Sequence, residues 1–184
     1  MVSERKIRRL VERAKKYDPG AFSELYELYI RKIYRYILFR VGDYNIAEDL
    51  TENVFYKVLK SIDEFKFKKV PFSSWLFTIA GNIIKNYYRH KAVEKKYLSG
   101  IDKDLQVSNI DVQLIFEKEL DKQDLINAIN RLNSEQRQVI IFKFISGLKN
   151  KEVSKIMKKS LGAVKALQYR ALRNLSSYLS KKVS

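Results

Sequence analysis

The sequence predicts an all-α protein: two small helical domains joined by a flexible linker, the C-terminal one containing a helix-turn-helix. Three observations carry this. Apolar residues recur at three- and four-residue spacing along almost the whole chain, and few segments alternate at period two. Pro occurs twice and Gly six times in 184 residues, so breakers are scarce and long helices can run between them. Periodicity weakens over residues 92–121, where "LSGIDKDLQVSNID" separates two periodic blocks. The length suits one domain or two small ones, and the weak stretch favours two: 1–91, a linker at 92–121, and 122–184.

The elements follow in order. A first helix covers roughly residues 3–16 and is broken at Asp18-Pro19-Gly20. A second runs from about Ala21 to Val41, where Gly42-Asp43 stops it. A third covers about 46–62, with Asn45 in the N-cap position. The loop "DEFKFKKVP" comes next. A fourth helix starts near Phe72, because Pro71 suits a helix start, and runs to about Lys91. The second domain reads as helices near 111–132, 134–146, 150–158 and 161–179. Asn133 and Ser134 offer caps, and Gly147 suits the left-handed position that ends a helix.

Charge narrows the function. The chain holds 37 Lys and Arg against 21 Asp and Glu, a net +16. The excess is uneven: +7 over residues 1–90, −2 over 91–121 and +11 over 122–184. Such a balance points to polyanionic partners, nucleic acid first and an acidic membrane surface second. There is no Cys, so disulfides, thiolate catalysis and Cys-based zinc sites are excluded. The single histidine, His90, lies in a basic run. The N-terminal stretch lacks an apolar signal core, and no apolar run approaches the length of a membrane span. These features predict a cytoplasmic protein without membrane insertion, catalytic residues, metal or cofactor.

The segment "NKEVSKIMKKSLGAVKALQYRALRNL" has the layout of a helix-turn-helix. In its second helix Val164, Leu167, Gln168, Ala171, Leu172 and Leu175 form one stripe, suited to pack on Val153, Ile156 and Met157. Gly162, Lys165, Ala166, Tyr169, Arg170 and Arg173 form the opposite stripe. Small residues there allow close approach to a groove, and the bases can read guanine edges or hold phosphate. Ser160, near the helix start, is placed to meet a phosphate. Many such turns carry Gly where Lys158 stands, so Lys158 is expected in an unfavourable backbone conformation.

Two further segments carry chemistry. In "AEDLTENVF" the acids Glu48, Asp49 and Glu52 cluster beside the apolar face of Leu50, Val54, Val58 and Ile62. Helix-dipole complementarity explains part of that pattern. In "FSSWLFTIAGNIIKNYYR" the residues Phe72, Trp75, Leu76, Ile79, Ala80, Ile83, Ile84, Tyr87 and Tyr88 form a broad apolar stripe. Thr78, Asn82, Lys85, Asn86 and Arg89 occupy the other side. Amides can read base edges and cations can hold the backbone. The preceding loop adds two rings and three lysines, Lys66 and Lys68 among them, a combination that suits an unstacked base.

These three segments, in this order and spacing, resemble bacterial RNA polymerase sigma factors, and in particular the two-domain extracytoplasmic-function (ECF) subfamily. The likeness covers nearly the whole chain. It implies a protein that binds core RNA polymerase, directs it to promoters and helps melt them, with duplex and single-stranded promoter DNA as partners. It implies upstream-element contacts at Lys165, Ala166, Tyr169 and Arg170, which fall on the stripe already derived, joined there by Ser160 and Arg173. It implies downstream-element capture by the fourth helix and its loop, hence Lys66, Lys68, Asn82, Lys85, Asn86 and Arg89. It implies polymerase docking through Asp49, Glu52, Asn53 and Tyr56. Inhibitory anti-sigma partners are common in this subfamily, although no segment here singles one out. The chain departs from the family pattern at Ala166 and Leu167, at Glu52-Asn53 and at Asn86. Three rival readings are a stand-alone helix-turn-helix regulator, a metal-dependent nuclease built on the clustered acids, and a membrane-surface protein using the basic first helix.

Overall fold

The computed structural model describes residues 3–67, 70–99, 125 and 127–180. Among them every regular element is helical. Helix α1 spans Glu4–Ala14, α2 Pro19–Val41, α3 Tyr44–Ser61 and α4 Phe72–Ser99. In the second half α5 spans Ser134–Ile140 and continues as a π-helical turn, Ile141–Ile145; α6 spans Asn150–Met157 and α7 Leu161–Ser180.

Short polar side chains start these helices. Ser3 accepts the amide of Lys6 at 3.2 Å, and Asn133 accepts that of Gln136 at 2.9 Å. Asp18 accepts the amide of Ala21 at 3.0 Å and also receives Arg13 at 2.8 Å, so it ties the end of α1 to the start of α2. The Ala21 amide and then Arg13 hold the Asp18 carboxyl below the usual carboxylate range. Because of this cap and Pro19 at the first helical position, α2 starts at Pro19 rather than Ala21. The chain reverses at Tyr17, which takes a positive φ of 58°. Helix α3 is capped by Asp43, whose carboxylate accepts the amide of Ile46 at 3.0 Å, and not by Asn45, which lies inside the helix. Both residue types cap well, and the turn at Gly42 (φ 70°) decides in favour of the one adjacent to it. Helix α4 continues past Lys91 to Ser99, since Ala92-Val93-Glu94-Lys95-Lys96 contains no breaker before Gly100. Most of the expected linker, and the expected helix before Leu125, lie outside the described residues.

The first half packs α1, α3 and α4 around α2. Ile33, Ile37, Val54, Val58, Ile62 and Leu76 are buried together there. Tyr29 is buried with them; burial first, and the nearby Glu152 carboxylate second, push its hydroxyl above the ordinary tyrosine range. The second half buries Val139, Val153, Val164, Leu167, Ala171 and Leu175 as its core. A buried cluster of rings joins the halves. Phe142, 3% exposed, stacks on Tyr36 (5.3 Å, 13°) and meets Phe77 edge-on (5.8 Å, 87°). Phe142 sits in the π-helical turn, where the Ser146 amide reaches back five residues to Ile141. Ser74 Oγ donates across the same seam to the Glu152 carbonyl at 3.5 Å. Arg40 lies over the Tyr36 ring at 4.9 Å. Burial, and then the charge of Arg40, push Arg137 down from its ordinary range, so two like charges face this junction.

Candidate nucleic-acid interface

The helix-turn-helix is built by α6 and α7. The Lys149 amide donates to the Glu152 carboxylate at 2.8 Å and starts α6. The turn between the helices passes through Lys158, which is left-handed (φ 53°, ψ 40°) as the sequence anticipates. Ser154 Oγ donates to the Lys159 carbonyl at 2.7 Å, and Lys159 pairs with Glu135 at 2.7 Å. Ser160 Oγ accepts the Ala163 amide at 3.1 Å, which caps α7 and leaves the hydroxyl proton free to donate outward. Val164, Leu167, Ala171 and Leu175 are buried on one side, while Gln168 takes a hydrogen bond from Asn150 at 3.3 Å. Leu172 departs from the expected stripe: it is exposed, at the margin of the packed face. On the opposite side Lys165, Ala166, Tyr169, Arg170 and Arg173 are all exposed. Tyr169 shows 68% of its surface, and Arg170 Nε donates to the Ala166 carbonyl at 3.3 Å, so its terminal nitrogens remain available. The six residues from Ser160 to Arg173 therefore share one face.

Helix α4 divides in the same manner. Phe72, Leu76, Ala80 and Ile84 are buried, and Asn82, Lys85, Asn86 and Arg89 are exposed on the far side. Trp75 is half-buried against Phe65 (5.0 Å) and Phe72 (5.7 Å). Phe77, Ser73 and Ser74 are buried although they lie off the predicted stripe, because the second half of the molecule covers that flank. In the loop before α4, Phe65 is buried and meets Phe67 edge-on at 4.8 Å, while Lys66 projects into solvent. Lys68 lies outside the described residues. Two cations far from this loop in the chain, one in α1 and one just past its end, reach it. Arg8 stands over the Phe67 ring at 4.8 Å, and Lys15 Nζ donates to the Phe65 carbonyl at 3.2 Å. Their spacing of seven sets them two turns apart on one flank, so each meets a different part of the loop.

The third set lies on α3. Asp49, Glu52, Asn53 and Tyr56 are exposed, opposite the buried Leu50, Val54 and Val58. Glu48 is exposed beside them; burial first, and then Glu48, raise the Tyr34 hydroxyl. Tyr56 shows 62% of its surface with Lys60 over its ring at 5.5 Å. Among the described residues no three His, Asp or Glu side chains gather where they could hold a metal ion. Nor is any helix among them long and apolar enough to cross a membrane.

Comparison with known proteins locates these surfaces in a family. Residues 25–93 match Sigma-70 region 2, and residues 122–175 match Sigma-70 region 4. The chain is 36% identical over 171 residues to the ECF RNA polymerase sigma factor BldN of Streptomyces coelicolor, spanning 92% of this chain and 64% of BldN. The chain belongs to the ECF sigma factors. This sigma factor is also 29% identical to SigX of Bacillus subtilis, over 86% of its own length and 83% of SigX. SigW of the same organism is 27% identical over 94% and 96% of the two chains. The fold recurs in RpoE of Bartonella quintana, solved with the anti-sigma factor NepR, at a TM-score of 0.64 and 24% identity over 86% and 96% of the chains. CnrH, solved with the cytosolic domain of CnrY, also gives a TM-score of 0.64, at 21% identity over 96% and 98%. In this sigma factor α3 and α4 up to residue 93 fall within the region 2 match, and α6 and α7 up to residue 175 within the region 4 match. Helix α1 precedes both.

Proposed function

We propose that this sigma factor binds core RNA polymerase, brings it to specific promoters and helps open them. The observation that supports it best is the division of one basic frame into three exposed faces of different chemistry. The face of α7, with Lys165, Ala166, Tyr169, Arg170 and Arg173, is small near its start and cationic further on. It enters the major groove of the upstream element, with Ser160 on a phosphate. The α4 face, with Asn82, Lys85, Asn86 and Arg89, and the ring-bearing loop with Lys66 and Lys68 take the separated strand of the downstream element. The α3 face of Asp49, Glu52, Asn53 and Tyr56 is acidic on a molecule of net +16, so it turns toward protein rather than DNA. Strand opening draws on binding free energy, since extruding a base takes only a few kcal/mol, and no covalent step is required. The factor works in the cytoplasm, and an anti-sigma factor is a further partner, as in the complex solved for RpoE.

Transcription reconstituted with purified core polymerase over a library of promoters tests this reading. The expected result is retention on polymerase and transcripts from a restricted promoter set. Duplex binding without polymerase capture would instead describe a stand-alone helix-turn-helix regulator, a reading that leaves the α3 and α4 faces without work.

A further inference from the structure

Helix α1 is strongly basic: Arg5, Lys6, Arg8, Arg9 and Arg13 stand against Glu4 and Glu12. Two of its neighbouring cations are already engaged, Lys6 with Glu24 at 2.9 Å and Arg13 with Asp18 at 2.8 Å. Arg8 is different. It is exposed, it has no carboxylate partner among the described residues, and its guanidinium is held over the Phe67 ring. That ring is not a free platform either. Phe67 rests edge-on against Phe65, which is buried among Phe72 and Trp75 and whose carbonyl is held by Lys15. A chain of contacts therefore runs from α1 through the loop to the first turn of α4.

A guanidinium lying on a ring keeps its in-plane N–H donors directed outward. It is also pre-organised, so little rotamer freedom is lost when an anion arrives. Its second face remains able to stack a base. An unpaired cation in that state, at the rim of a loop that also exposes Lys66, suits the phosphate of a nucleotide pulled out of a stack.

We propose that Arg8, stacked on Phe67, is a further DNA contact of the single-strand site, holding a backbone phosphate of the captured strand, with Lys15 positioning the loop through the Phe65 carbonyl. The proposal rests on the reading that this loop and α4 take the separated strand. It extends the site to a helix outside the matched region 2 segment, which begins at residue 25.

The test uses the full chain on core polymerase and one promoter recovered from the library transcription. Two labelled probes are compared: the upstream element as duplex and the downstream element as single strand. Arg8→Gln should weaken single-strand capture roughly tenfold, as expected for a lost charge-assisted contact. It should also lower the salt dependence of that capture by about 0.7 in the log–log slope, one counterion on a single strand. Duplex binding should not change. Arg8→Lys should keep the slope and lose part of the affinity. Arg9→Gln, one residue along and exposed, should do little; a loss equal to that of Arg8→Gln would mean a diffuse field rather than a contact and would overturn the assignment. Unaltered capture by Arg8→Gln, while Lys66→Ala and Asn82→Ala weaken it, would reduce Arg8 to a cover for Phe67. Unaltered capture by all three would remove the single-strand site itself. Thermal unfolding of each variant separates these outcomes from loss of fold.

Discussion

Arg170 is the residue on α7 whose chemistry makes the sharpest demand. Its Nε is tied to the Ala166 carbonyl, which orients the terminal nitrogens away from the helix core. A guanidinium so placed suits a bidentate grip on a guanine edge. Arg170→Ala should lower affinity by about 1–3 kcal/mol at one promoter position and leave others unaffected. Binding to a panel of single-base promoter variants measures this; an equal loss at every position would mark a phosphate contact instead. Lys158 makes the opposite kind of demand. Its left-handed backbone costs about 1–2 kcal/mol in a non-glycine residue, whereas glycine there gives back about 0.5–1 kcal/mol through the freer unfolded chain. The strain is the larger quantity and Lys158 is exposed. Lys158→Gly should therefore raise stability by about 0.5–1 kcal/mol in denaturant titration. A fall would mean that the Lys158 side chain has work at this turn.

At the scale of elements, the two faces of α4 and α7 separate the work of folding from the work of binding. Asn82 is exposed and one turn from Asn86, on the side of α4 away from the buried Phe72, Leu76, Ala80 and Ile84. Asn82→Ala should thus slow promoter opening several-fold while upstream duplex binding is kept. A template with the downstream element already unpaired should restore the rate, and failure to do so would place Asn82 elsewhere in the reaction. This scale also shows what was legible beforehand. The apolar spacing of Val164, Leu167, Ala171 and Leu175 identifies the buried side of α7, and Gly42 and Gly147 identify turns, because each is a local requirement of period or backbone. Leu172 leaves the stripe its spacing assigns it, and Phe77, which spacing assigns to no stripe, is buried. A periodic pattern assigns a single buried face, but a helix at the margin of its core exposes a leucine, and a helix covered from two directions buries a phenylalanine off the stripe. The link from Arg8 to Phe67 was hidden in the same way, since it joins residues far apart in the chain and no periodicity within one helix reports it.

At the scale of the whole molecule, the two halves meet, among the described residues, through rings rather than ion pairs. Phe142 is almost wholly enclosed by Tyr36 and Phe77, while Arg40 and Arg137 oppose one another near the same place. Apolar burial must therefore outweigh a like-charge penalty for the halves to stay together. Truncating an enclosed phenylalanine costs about 3–5 kcal/mol, and here that loss falls on the coupling between the halves. Phe142→Ala should turn one cooperative melting transition into two in calorimetry. A single transition at unchanged temperature would mean that the seam carries no weight.

The chain has one tryptophan, and it lies beneath the loop, against Phe65 and Phe72. Its emission consequently comes from a single known spot, and no dye need be attached to watch that spot. When a nucleobase settles onto the neighbouring rings, the indole should dim and its spectrum should move, on the timescale of strand separation. Stopped-flow mixing of the free factor with the downstream element as single strand would record the event in real time, and a trace that stays flat while the strand is bound would place the captured base somewhere else.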